Sequence, residues 1–229
     1  MSSSRHILLL SFILLFATAS EAQSERQQDM GLIVGAQISA DLTGNMSLEA
    51  EEEIRFDHNA MQFDRWLTQV GLDYSFLHNR MHVGVFGSAI RRHNDHDYYE
   101  NRGRLGIDVS YSESIRRFKL SYRTRFTSTF LDEQTGLHRI NPKIYWRNQL
   151  KATYQMPGSR FKYSLSTELH WPINDPKHHR PDNLRTVFTA DYRVSRHHSV
   201  AASLRLDDDL FINQPVDRLY VGLCWKMKY

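Results

Sequence analysis

The 229-residue sequence holds a single cysteine, Cys224, so no disulfide can form within the chain and a multi-cysteine metal centre is excluded. Long hydrophobic runs are also missing. The apolar stretch Ile7–Phe16 is too short to cross a bilayer as a helix. Nothing later approaches spanning length without charges, and the mean hydropathy is negative. A membrane location is therefore open only to a closed sheet, because in lipid only helices and barrels satisfy every backbone group. A strong excess of one charge is absent too. The formal charge of +3 argues neither for nor against nucleic acid, and no nucleic-acid partner is expected. About 200 mature residues make one domain. Without disulfides, an exported chain of that size needs a large core or a continuous ladder of strand hydrogen bonds.

What is present begins with an export signal. Arg5 and His6 precede Ile7–Phe16, and Ala17-Thr18-Ala19-Ser20-Glu21-Ala22 follows, the anatomy of a secretory signal peptide. Residues 1–22 are read as that signal and 23–229 as the mature domain, starting at Gln23. Cleavage after Ala19 also satisfies the small-x-small rule. No cysteine follows the apolar run, which excludes an acylated lipoprotein start.

The end of the chain is the most regular segment. In Leu219–Tyr229, Leu219, Val221, Leu223, Trp225, Met227 and Tyr229 form one row, and Tyr220, Gly222, Cys224, Lys226 and Lys228 form the other, the two-residue period of a strand. About 9–11 residues suffice to cross a bilayer as a tilted strand. The segment resembles the C-terminal strand of bacterial outer-membrane β-barrels, which implies that Leu223, Trp225 and Tyr229 serve as a signal to the barrel-assembly machinery.

Ten more segments alternate in the same way: Leu32–Ala40, Met46–Phe56, Trp66–Phe76, Met81–Ala89, Arg102–Tyr111, Arg117–Thr127, Lys143–Tyr154, Phe161–Trp171, Leu184–Tyr192 and Val200–Leu206. Short turns alternate with longer polar loops around residues 93, 136, 177 and 212, as periplasmic turns and extracellular loops do. Aromatics such as Tyr111, Tyr154, Trp171 and Tyr229 stand at strand ends, where interface girdles lie. The expected fold is all-β: a transmembrane antiparallel up-and-down β-barrel of about twelve strands, with ten as the alternative, since bacterial barrels have an even number. Ser24–Met30 either leads through the lumen or belongs to another strand. Glu52 interrupts the apolar row of its strand, which calls for a bulge there or a different register.

The Glu-rich segment Ser47–Phe56, Tyr122-Arg123-Thr124-Arg125, Trp146-Arg147-Asn148-Gln149 and Tyr220-Val221-Gly222-Leu223 together resemble an uncharacterised outer-membrane β-barrel family of Bacteroidota-type bacteria, domain of unknown function 2490. The resemblance covers most of the mature chain and implies fold and location, the bacterial outer membrane. It carries no catalytic signature.

With the apolar row facing lipid, the other row lines the lumen: Glu49, Glu51, Glu53, Arg104, Arg123, Arg125, Arg147, Lys151, Glu168, Arg185, Asp191, Arg193 and Arg205. In a narrow barrel these pair across the interior as carboxylate–guanidinium contacts. They then either fill and stiffen the lumen or leave a narrow polar path that selects small solutes. The nearest approach to a catalytic constellation is Ser166, Glu168 and His170 on one face of one strand, where residues two apart sit about 7 Å from each other, and such trios are common wherever polar residues alternate. His93, His96, His178, His179, His197 and His198 lie in loops and turns without metal-ligand spacing. Asp207-Asp208-Asp209 opens the last loop as a solvated mouth with the makings of a calcium ligand set. Neither metal nor cofactor is expected. The sequence thus reads as a non-catalytic barrel, a small or plugged pore or a scaffold, with lipid and the assembly machinery as its partners. A membrane-embedded lipid-modifying hydrolase or acyltransferase and a secreted lipocalin-like binder are the alternatives.

Overall fold

The computed structural model describes residues 27–93, 98–132, 140–176, 179–211 and 215–229. The expected signal peptide, residues 1–22, lies outside the described residues. Among the described residues eleven strands follow one another: β1 (Gln27–Asp41), β2 (Met46–Asp57), β3 (Gln62–Phe76), β4 (Met81–His93), β5 (Tyr99–Ile115), β6 (Phe118–Leu131), β7 (Lys143–Gln155), β8 (Phe161–Pro172), β9 (Asn183–Arg193), β10 (His198–Asp209) and β11 (Val216–Lys228). Each pairs antiparallel with the next, and β1 closes the barrel by pairing in parallel with β11, from Gln27↔Val216 to Ser39↔Lys228. The expectation of twelve or ten strands in a wholly antiparallel wall is therefore corrected to eleven with one parallel seam. An up-and-down order with an odd count leaves its first and last strands running the same way, and a parallel ladder satisfies their backbone groups as fully as an antiparallel one. Gln27–Met30 lengthens β1.

The four loops around residues 93, 136, 177 and 212 leave one end of the barrel, together with the short β2–β3 connection; the tight turns leave the other. The two rows of each strand separate as the period of two requires. Leu32, Val70, Leu105, Phe126, Leu165, Phe188, Leu204 and Leu223 are among the large apolar side chains exposed on the outer face. Arg55, Asp64, Glu100, Asp108, Glu168, Asp191, Arg205 and Asp207 are buried within. A soluble β-barrel distributes these classes the other way round.

Glu52 keeps its register, opposite Thr68 and Ala36, and stays on the outer face. Its carboxylate accepts hydrogen bonds from Trp66 Nε1 at 2.6 Å and Thr68 Oγ1 at 2.9 Å, so the apolar row is interrupted by an internally bonded group. The bulge lies elsewhere. Pairing steps from Arg55↔Arg65 to Phe56↔Phe63, and the extra residue, Asp64, turns inward beside Arg65.

Close approach across the seam depends on Gly31. A Cβ there would sit 2.3 Å from the Tyr220 ring and 2.5 Å from the Phe56 carbonyl oxygen. Tyr220 is buried and lies beneath two guanidinium groups, with Arg55 Cζ 5.0 Å and Arg205 Cζ 5.5 Å from its centroid. Gly31→Ala is expected to displace Tyr220 from that stack and to cost about 1–3 kcal/mol. Urea unfolding of the refolded barrel measures this, and an unchanged midpoint would show that the ring has room to move.

Candidate functional site

The barrel interior is built by short acidic side chains held at the wall and long basic ones that reach over them. Nine of the expected lumen residues, Glu51, Glu53, Arg104, Arg123, Arg125, Arg147, Glu168, Arg185 and Arg205, line one cavity of ≈ 630 Å³ in the loop-side part of the barrel. Glu49 lies on the same row of β2 and accepts a hydrogen bond from Gln37 Nε2 at 2.7 Å. Asp191 holds Lys226 Nζ at 2.9 Å. Lys151 shares the inward row of β7, opposite Ser121 and Ser166. Arg193 is exposed at the turn-side mouth, where it lines a second cavity of ≈ 380 Å³ with Asp191, Lys226 and Lys228.

Three buried carboxylates organise the larger cavity. Glu168 accepts from Arg147 Nη2 at 2.5 Å and Arg123 Nη2 at 3.1 Å, lies 3.2 Å from His170 Nε2, and has Arg185 Nη1 at 3.9 Å. Asp207 is bonded by Arg185 Nε at 2.8 Å and by Arg205 Nη2 at 2.5 Å. Asp64, the bulged residue, is bonded by Arg65 Nε at 2.7 Å and Arg92 Nε at 3.2 Å, with Arg55 Nε at 4.0 Å. Arg55 in turn holds Glu53 at 2.5 Å, Arg102 holds Glu100 at 2.7 Å, and Arg125 holds Asp108 at 2.7 Å. Arg125 also covers the Phe86 ring, 4.4 Å from its centroid, in space left by Gly106. At the loop-side rim, Tyr145 donates to Asp182 at 2.8 Å. Burial pushes the Asp182 carboxyl above its ordinary range, and that hydrogen bond opposes the rise.

Sequence reasoning missed several members of this network. The apolar alternation places Arg92 in a loop, Arg65 and Asp64 in a connection and Glu100 before a strand, but β3, β4 and β5 run further than that alternation does. The Arg-rich ends, Arg91-Arg92 and Arg102, were the available signal.

The other candidates are distributed as follows. Glu168 joins His170 to the arginines, while Ser166 lies opposite Lys151 and Val187 and makes no hydrogen bond to His170. Asp207, Asp208 and Asp209 belong to β10 and do not open a loop; Asp209 accepts from Val216 N and Arg218. His197 Nδ1 donates to the Lys228 carbonyl at 2.8 Å, and its ring stacks on Tyr229. His93 lies 3.0 Å from Gln62 Nε2, and His96 and His178 lie outside the described residues. Cys224 lines the cavity. Among the described residues one group, Asp29, Asp57 and His58, brings three possible metal-ligating atoms within 4.8 Å. Asp29 there caps the β2–β3 turn, accepting from His58 N and Asn59 N. Leu223, Trp225 and Tyr229 are all exposed on the outer face, and Tyr229 N donates to the Ser39 carbonyl at 2.9 Å.

A closed wall with apolar side chains outside and ion pairs inside defines an all-β closed barrel. The chain belongs to the family described as "Protein of unknown function (DUF2490)", whose sequence profile matches residues 32–205. No curated protein matches it. Among solved structures it is similar to an anion-selective porin from Comamonas acidovorans, with 11% identity and a TM-score of 0.39; the match covers 82% of this chain and 53% of the porin. The chain thus spans about half the length of that protein.

Proposed function

We propose that the mature chain, residues 23–229, is an outer-membrane barrel exported by the signal at 1–22, and that it acts as a narrow or plugged pore or as a scaffold, without catalysis. The observation that carries this reading is the reversal of its two faces. Large apolar side chains are exposed around the outer wall, an extent of apolar surface that soluble monomers rarely leave to water, while charged groups are paired inside. Lipid is the partner that such an exterior requires, and Leu223, Trp225 and Tyr229 suit recognition by the assembly machinery. The lumen is narrowed where Arg123, Arg147 and Arg185 converge on Glu168, which favours a restricted or closed path over a wide channel.

Gel mobility of the outer-membrane fraction with and without boiling tests the reading. A closed barrel migrates compactly until heated, so a shift is expected. Protein recovered soluble from the periplasm with no shift would overturn it. Deleting Tyr229 is expected to reduce the heat-shifted form several-fold, and unchanged levels would remove the role of the terminal aromatic.

A further inference from the structure

We propose that the loop-side lumen is a binding site for a phosphate-type dianion, either free phosphate or the phosphate monoester of a small solute, held by Arg104 and the guanidinium groups around Glu168. The proposal rests on the pore reading above and names what that pore would take.

The first observation is the sign of the charge that a solute meets. Eleven arginine and lysine side chains and four carboxylates line the cavity. The carboxylates that neutralise several of these arginines are sunk in the wall beneath them. The Glu168 side chain is 3% exposed against 27% for Arg123, and Asp64 is 3% exposed against 35% for Arg92. A short carboxylate stays at the strand while a guanidinium extends beyond it, so these pairs present their positive ends to the interior; the Arg55–Glu53 pair is the reverse, with Glu53 the more exposed partner. The turn-side cavity has the same sign, with six arginine and lysine side chains and a single carboxylate, Asp191. Positive charge is therefore in excess in both cavities, which raises the local concentration of anions.

The second observation is that the wall satisfies these arginines only in part. Arg125 and Arg147 are direct cross-strand neighbours, as are Arg55 and Arg65, and Arg65 and Arg92, and like charges in such positions repel. Among the described residues the Nε groups of Arg55, Arg102, Arg123 and Arg147 are buried without an acceptor, although all four residues line the cavity and the Arg55 side chain is only 6% exposed. Buried donors of this kind are costly to leave unpaired. Arg104 donates to Thr129 Oγ1 at 3.1 Å, and among the described residues no carboxylate lies within ion-pair distance of it. A phosphate dianion matches this deficit, with two negative charges and several acceptor oxygens suited to guanidinium forks. Glu51 lines the same cavity from β2 and repels an anion from that side, which favours binding against the opposite, arginine-bearing strands.

Calorimetry on the refolded, heat-modifiable barrel tests the site, with inorganic phosphate and glycerol 3-phosphate as separate titrants in chloride buffer. Saturable binding is expected, weakened by added salt, and the titrant that binds more tightly identifies the source. Arg104→Gln should weaken binding about tenfold and keep the heat shift, because it leaves no carboxylate unpaired. Glu51→Gln should leave binding intact or strengthen it. A folded, heat-modifiable barrel that binds neither titrant, or whose binding ignores Arg104→Gln, would overturn the proposal. Absence of the heat shift in the wild-type protein would instead remove the barrel reading and the site with it.

Discussion

Glu168→Ala is expected to lower the stability of the barrel by about 3–5 kcal/mol, the loss found when one partner of a buried ion pair is removed. Glu168 is the acceptor shared by Arg147 and Arg123, with His170 and Arg185 beside it. Its removal leaves like charges facing one another in a narrow interior. Glu168→Gln keeps an acceptor oxygen and loses the charge, so it should fall between wild type and Glu168→Ala. Removing Arg147 as well should recover part of the loss, since fewer guanidinium groups then go unpaired. Urea unfolding in lipid vesicles measures all three. A Glu168→Ala barrel that unfolds at the wild-type midpoint would mean that water already solvates these arginines, and the lumen would then be an open channel.

The second large effect is on the outer face. Leu150 lies in the middle of β7, opposite Tyr122 and Thr167, and is 65% exposed. Leu150→Arg at such a position should cost about 2–4 kcal/mol in a bilayer. On a soluble protein the same exposed site would change stability by about 0.5 kcal/mol or less. The comparison therefore reports which solvent the outer wall meets. Unfolding in vesicles at the wild-type midpoint would overturn the lipid-facing reading, whatever the shape of the barrel.

The two faces of most strands were legible from the sequence, because a period of two is imposed by the backbone and the apolar and charged side chains fall on opposite faces. The inward row of Lys143–Tyr154 and the outward row of Leu219–Tyr229 appear in the structure as they read in the chain. The strand ends were less legible. Arg65, Arg92 and Glu100 stand where the apolar row has stopped, so the alternation that marks the rest of each strand does not reveal their ion pairs. The inward turn of Asp64 was not legible either, since a bulge depends on how two strands register. Eleven alternating segments were legible, and the even number usual in bacterial barrels moved the expectation to twelve or ten. What the sequence did not show is how an odd number closes, by the parallel pairing of β1 with β11. The network around Glu168 follows from the register of four consecutive strands, which brings side chains of β6, β7, β8 and β9 onto one carboxylate.

The parallel seam gives the chain an order of assembly. Ten of the eleven ladders join consecutive strands, so each can zip from its own connection at a small loop-closure cost. The remaining ladder joins Gln27 to Val216, nearly the whole described chain apart, and a contact of such high order forms late. Until β11 arrives, the growing sheet has two open margins. One is β1, whose amide and carbonyl groups stay unpaired on that side until the seam forms. A chain stalled before β11 is an edge-bearing sheet that pairs with whatever strand it meets, and the final seam removes that hazard at the moment the wall becomes continuous.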